Sequence, residues 1–249
     1  MLPKADGSKR PLGIPTIRDR VVQMAVKLVI EPIFEADFSA HSYGFRLGKS
    51  AHNAVDEIAK ALWGGHTQVI DADLSKYFDT IPHNKLLMMV AQRIVDEGVL
   101  NLIKQWLKAP IIGEDENGKR KTVGGGKGNR RGTPQGGVIS PLLSNVYLHI
   151  LDRIWLRNDL RGKIGAHLVR YADDFVVLCK RGEEEPFKVV RQVLGRLGLT
   201  LNESKTHIVD ATREGFDFLG FTIQMSRGVK FGKSYPNVRP SNKWKSVQA

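Results

Sequence analysis

An α+β fold, with an antiparallel sheet covered by helices on one face, is predicted for this 249-residue chain by two observations. Short runs rich in branched and aromatic residues read as strands, at Gln68-Val69-Ile70 and on either side of the pair Asp173-Asp174. Longer segments with helical spacing separate them, and the two kinds alternate too irregularly for a regular parallel winding.

Along the chain, Val21, Val22, Ala25, Val26, Leu28 and Val29 give helical spacing between Arg18 and Phe34, and Ala51, Ala54, Val55, Ile58, Ala59 and Leu62 repeat it. Residues 84–107 read as mostly helical, with Gly98 as a break. Ser140-Pro141 joins an N-cap residue to proline at the first helical position, opening a helix to about Leu156. Pro186, after Glu183-Glu-Glu185, opens another that faces a core through Val189, Val190, Val193, Leu194 and Leu197 and ends at Gly198. From Gly113 to Gly132, acidic, basic and glycine clusters follow one another and read as a mobile basic loop rather than a domain boundary.

Composition narrows the function classes. A net charge of +12 points to a polyanionic partner, because phosphate contacts supply most nucleic-acid affinity. The single Cys179 excludes an internal disulfide and a zinc cluster built on several cysteines, and a reduced cytoplasm is the natural location. The stretch from Val21 to Ile33 is interrupted by Lys27 and Glu31, and no segment reads as a membrane span or a signal peptide.

The chemistry is carried by carboxylates. Leu168-Val169 and Phe175-Val176-Val177-Leu178 flank Asp173-Asp174, placing the pair where a tight hairpin turn falls. Two carboxylates this close repel unless a cation or donor offsets them, and hard oxygen ligands suit Mg²⁺. An isolated Asp pair would be only a solvated turn, but a second acidic strand changes its meaning. In Thr67-Gln-Val-Ile-Asp-Ala-Asp-Leu-Ser-Lys-Tyr-Phe78, Asp71 and Asp73 share a face, and Asp73 ends the strand. Brought beside the hairpin, it would complete the three carboxylates of a two-metal phosphoryl-transfer site.

Tyr171-Ala-Asp-Asp174 together with Asp73 and Phe78 resembles the palm of reverse transcriptases. The long block Arg131-Gly-Thr-Pro-Gln-Gly-Gly-Val-Ile-Ser-Pro-Leu-Leu-Ser-Asn-Val-Tyr-Leu-His-Ile-Leu-Asp152 is similar to the group II intron-encoded branch. The order of blocks agrees: Arg10-Pro-Leu-Gly-Ile-Pro15, Ser42-Tyr-Gly-Phe-Arg46, the Asp73 strand, the Gln135 loop, the Asp hairpin, Leu199-Thr-Leu-Asn-Glu-Ser-Lys-Thr206 and Phe216-Asp-Phe-Leu-Gly-Phe221. The resemblance implies a right-hand polymerase with fingers over residues 1–66, a palm over 67–235 bearing an inserted basic loop near 113–132, and the start of a connection to an absent thumb over 236–249. A thumb and maturase region should follow and an upstream extension should precede, so the chain reads as a fragment.

The resemblance also assigns roles. Asp73, Asp173 and Asp174 hold two Mg²⁺ ions, for which Mn²⁺ can substitute, and the Leu74 carbonyl completes one shell. Asp71 and Asp79 stay outside this metal set. Phe78 bars a ribose 2′-hydroxyl. Gln135 and Gly136 meet the nucleotide, Arg46 grips its triphosphate with Lys9 and Arg10 as weaker candidates, and Lys205 protonates the leaving pyrophosphate. Phe216 to Phe221 resembles the primer grip. At Leu47-Gly48 the chain departs from the Pro-Gly common in relatives. The implied activity is RNA-directed DNA synthesis on an intron RNA template, from a DNA or RNA primer and dNTPs. A catalytically idle RNA-binding maturase fragment is the competing reading, followed by reverse transcriptases of other lineages, including defence-associated, retron-like and diversity-generating ones.

Overall fold

In the computed structural model, residues 2–3, 9–10, 13–114, 119–228 and 232–241 are described, the first two pairs by backbone alone. The elements in chain order are β1 (Leu2–Pro3), β2 (Lys9–Arg10), α1 (Ile17–Glu35), α2 (Ala51–Trp63), β3 (Gln68–Ala72), α3 (Tyr77–Thr80), α4 (His83–Ala91), α5 (Glu97–Leu107), β4 (Ile111–Glu114) and β5 (Arg120–Gly124). They continue with α6 (Ser140–Arg157), α7 (Leu160–Ile164), β6 (Ala166–Tyr171), β7 (Asp174–Cys179), α8 (Glu184–Leu197), β8 (His207–Asp210), β9 (Phe216–Phe218), β10 (Phe221–Arg227) and β11 (Ser234–Pro240). The chain divides into two units, residues 1–37 with 76–147 and residues 38–75 with 148–249. The boundary drawn from the sequence at 66/67 falls inside the second. No helix among the described residues is long and apolar enough to cross a membrane.

The second unit is built on a four-stranded antiparallel sheet in the order β6-β7-β3-β8, followed by a three-stranded sheet β11-β10-β9. Capping holds α2 in register: Ser50 accepts from the Asn53 amide, and the Asn53 side chain accepts from the Ser50 amide in return. One core joins Ala54, Val55, Ile58 and Leu62 of α2 to Val69, Val169, Val176 and Leu178 of the larger sheet, and to Phe216, Phe218 and Ile223 of the smaller. The opposite face of the larger sheet, Leu168, Phe175, Val177 and Cys179, is buried as well. This corrects the expected one-sided sheet. The uninterrupted apolar run of β7 is what a strand covered on both faces requires. Trp155 of α6 reaches this sheet by donating from Nε1 to the Ala166 carbonyl at 2.8 Å. Burial and nearby Glu183 push the Cys179 thiol up to about 12, so it is inert.

The first unit carries α1, the helices of residues 77–107, the β4-β5 hairpin and the first part of α6. Two expectations are corrected, and the helix expected between Arg18 and Phe34 forms as α1. The break in residues 84–107 lies between Ala91 and Glu97, where Asp96 caps α5 through the Val99 amide at 2.8 Å, and Gly98 sits inside the first turn of α5. A good N-cap starts a helix more effectively than one glycine stops it. Ile111–Glu114 and Arg120–Gly124 pair as antiparallel strands rather than lying in a loop, because Ile111-Ile112 and Lys121-Thr-Val123 supply β-favouring side chains among the charges. The apolar face of α1 is the exposed one: Val21, Leu28 and Val29 face outward, while Gln23, Ile30 and Phe34 are buried.

Candidate active site

The sequence-predicted residues fall into two groups, one in each unit. In the second unit, β3 pairs with β7 in a register ending at Ala72↔Phe175, so Asp73 follows the last paired residue of β3 at the end of the sheet where Asp174 begins β7. Strands β6 and β7 form a tight hairpin with Tyr171 opposite Asp174, leaving Ala172 and Asp173 as its two-residue tip. Ala172 takes φ 58°, a strained left-handed conformation for a residue with a Cβ. Asp73, Asp174 and Lys205 line one open cleft of about 1030 Å³, together with Asp71, Glu203 and Asp217, whereas Asp173 is not part of its lining.

The surroundings aim these carboxylates. Asn202 Nδ2 donates to Asp73 Oδ2 at 3.0 Å, and the Asn202 amide donates to the Asp73 carbonyl at 2.8 Å. Leu74 bridges Leu201 through bonds made by its neighbours, Asn202 N–H to Asp73 and Ser75 N–H to Thr200. Its own carbonyl stays outside those bonds.

Arg170, one residue before Tyr171, is fully buried and forks onto Asp152 of α6, with Nε to Oδ1 at 3.0 Å and Nη2 to Oδ2 at 2.6 Å. Its Nη1 donates to the Ala172 carbonyl at 2.8 Å, which braces the hairpin tip from below. Burial pushes the Asp152 carboxyl up, but Arg170, aided by His149, overcomes it and holds the group below the usual carboxylate range.

The block Ser42-Tyr-Gly-Phe-Arg46 packs on the same hairpin. Tyr43 N–H donates to the Arg170 carbonyl at 2.8 Å, and a Cβ on Gly44 would stand 2.3 Å from the Ala172 nitrogen, so only glycine admits this approach. Arg46 turns inward, giving Nη1 to the Ser39 and Ser42 carbonyls and lying 5.3 Å from the centre of the Phe38 ring.

The first unit gathers Phe78, Gln135 and Gly136. Thr133 N–H donates to the Phe78 carbonyl at 2.7 Å, and Gln135 Nε2 donates to Asp79 Oδ1 at 3.1 Å. Gly13 N–H reaches the Gln135 carbonyl at 2.7 Å, and Gly136 takes φ 104°. Tyr77 anchors the turn from within, its hydroxyl donating to the Ser144 carbonyl at 2.8 Å. Ser140, expected as a cap, instead donates its hydroxyl to the Pro134 carbonyl at 2.8 Å, tying the glycine loop to the start of α6. Lys9 and Arg10 lie on β2, and their side chains are outside the described residues.

The cleft suits a hard divalent cation. Carboxylates sharing one cleft repel, and an oxygen-seeking ion is what would offset Asp73 and Asp174. The donor atoms of Asp73, Asp173 and Asp174 do not all come within 4.8 Å of one another; among the described residues His41, Glu57 and His167 form such a group. The roles of Asp152, Arg170 and Asn202 were not foreseen. Arg170 and Asp152 stood inside recognised blocks, but nothing local marks an ion pair between residues 18 apart.

This arrangement, an antiparallel sheet ending in aspartates from a central strand and an adjacent hairpin, defines the palm of a nucleic-acid polymerase. Solved structures share the fold: a telomerase from Candida tropicalis in complex with a fragment of telomeric RNA aligns with TM-score 0.58 at 13% identity, over 84% of this chain and 36% of that one. The chain belongs to the reverse transcriptase (RNA-dependent DNA polymerase) family, whose model matches residues 2–223. It is similar to protein YkfC of Escherichia coli strain K12, at 37% identity over 91% of this chain and 66% of that protein. It is also similar to the group II intron-encoded protein LtrA of Lactococcus lactis, at 31% identity over 88% of this chain and 45% of that one. The chain thus spans about half to two thirds of these relatives' lengths. Reverse transcriptases copy RNA and use divalent metal ions.

Proposed function

We propose that this chain supplies the fingers and palm of a group II intron-type RNA-directed DNA polymerase, which extends a primer 3′-hydroxyl on an intron RNA template with dNTPs. The observation that carries this reading is that Asp73 and Asp174 line one cleft at the end of the sheet, beside the hairpin tip that bears Asp173. A maturase fragment that only bound RNA would have no need of that juxtaposition. In this reading residues 1–66 belong to the fingers and 67–235 to the palm.

Asp73, Asp173 and Asp174 would hold two Mg²⁺ ions, or Mn²⁺ in their place, and the Leu74 carbonyl would complete one shell. When bound, the ions would supply Lewis-acid activation of the primer hydroxyl and charge neutralisation at the leaving pyrophosphate. Asn202 keeps one Asp73 oxygen oriented. Lys205 lines the same cleft, and in this reading it would give a proton to the leaving pyrophosphate. Gln135 and Gly136 position the nucleotide beside Phe78, and Arg46 adds positive charge for the triphosphate.

A labelled primer annealed to RNA tests the reading: extension should require the template, all four dNTPs and Mg²⁺. Extension independent of template, or none at low salt where phosphate contacts are strongest, would refute it. Phe78→Ala is expected to lower the preference for dNTPs over NTPs by roughly tenfold to a hundredfold, the scale on which an apolar pocket rejects one added hydroxyl, as read from competing incorporation. Asn202→Ala, which loosens Asp73, should raise the Mg²⁺ concentration needed for half-maximal extension by about tenfold or more.

A further inference from the structure

Away from the cleft, three side chains from three elements converge: His41 on the loop after α1, Glu57 on α2 and His167 on β6. His167 Nε2 lies 2.8 Å from Glu57 Oε1, and His41 Nδ1 lies 3.5 Å from the same oxygen. The two imidazoles meet edge to face with centres 4.5 Å apart. We propose that His41, Glu57 and His167 form a transition-metal site that takes Zn²⁺, with water as the fourth ligand.

The donor set and its spacing carry the proposal. Two imidazoles and a carboxylate are a known zinc ligand set, whereas Mg²⁺ prefers oxygen ligands throughout. Four ligands at Zn²⁺ bond lengths stand about 3.4 Å apart in a tetrahedron, and the 2.8 and 3.5 Å separations bracket that value. His41 Nδ1 is shielded from solvent yet makes no hydrogen bond of acceptable geometry, which a metal bond would repair.

Charge supports the same occupant. Burial lowers the affinity of both imidazoles for a proton. For His167, His41 and Arg161 lower it further against the pull of Glu57, leaving the ring at about 4. For His41, Arg161 and Lys49 act with burial, against Glu57 and Asp152. Despite its partial burial, Glu57 is held below its ordinary value by His167, His41 and Lys60. Near neutrality both rings therefore offer lone pairs beside a carboxylate, the state a metal requires.

Such an ion would staple the loop that carries Arg46 to the strand that leads into the catalytic hairpin. The backbone already follows that path, with Arg170 N–H donating to the His41 carbonyl at 3.0 Å and Ser42 bridging Arg170.

The test uses the full chain, freed of any polyhistidine tag and stripped of metal. Co²⁺ titration should develop the intense visible absorption of a tetrahedral site at one equivalent, Zn²⁺ should displace it, and Zn²⁺ should raise the melting temperature. Glu57→Gln, which keeps a hydrogen-bonding group of the same shape, should weaken Zn²⁺ binding by about tenfold or more, and His41→Asn should do the same in a chain shown by circular dichroism to be folded. Asp73→Asn should leave Co²⁺ absorption unchanged, separating this site from the acidic cleft. Absent absorption, undiminished binding in both ligand variants, or loss of binding in Asp73→Asn would each overturn the proposal.

Discussion

Replacing Asp73 with Asn is expected to abolish RNA-templated primer extension, by at least about a thousandfold, while leaving the fold intact. The substitution keeps size and shape but removes one negative charge from the acidic cleft it shares with Asp174, so folded stability should hold or rise slightly as like-charge repulsion is relieved. That combination separates a catalytic carboxylate from a structural one, because a structural acid lost from the sheet end would lower the melting temperature as well. Asp173→Asn on the hairpin tip should behave in the same way. Single-turnover extension, read beside thermal unfolding of the same samples, checks both, and retained extension in either variant would remove it from the metal set.

The second large effect concerns stability. Arg170→Met should destabilise the protein by about 3–5 kcal/mol, because it leaves Asp152 buried and charged without its partner. For a chain of this size that corresponds to a fall in melting temperature on the order of 10 °C. Adding Asp152→Leu should recover most of the loss, since an apolar pair of similar volume can replace a buried ion pair with little net cost. Extension should not recover in parallel, because the double variant still lacks the Nη1 bond to the Ala172 carbonyl that braces the hairpin tip. Full recovery of both would show that the pair is only structural.

The pH dependence follows from the same pair. Asp152 sits below its unfolded value in the folded protein, so its contribution is complete above the unfolded carboxyl pKa and is lost as pH falls through the lower folded value. The wild type should therefore lose stability on acidification in that window, and the apolar double variant should lose less of it, as read from urea midpoints across the acid range.

How much was legible in the sequence varies from element to element. The β6-β7 hairpin and α2 were legible because their signals are local: β-favouring runs flanking a turn pair, and capped apolar spacing. The exposed face of α1 was not, because helical spacing identifies an apolar stripe without saying whether anything covers it. The β4-β5 hairpin was obscured by charged residues interleaved with its exposed apolar ones. Asn202 stood inside a recognised block, yet its bond to Asp73 joins residues 129 positions apart, and no periodicity reports such a contact.

The sequence by itself determined that aspartates end one strand and tip a hairpin, since strand propensity and turn chemistry act over a few residues. Only the tertiary structure decided that Asp73 and Asp174 line one cleft, that Arg170 and Asp152 brace the tip from beneath, and that His41, Glu57 and His167 meet. Those facts depend on strand register and on burial of distant side chains against one another, which are set by packing of the whole unit rather than by any local stretch of chain.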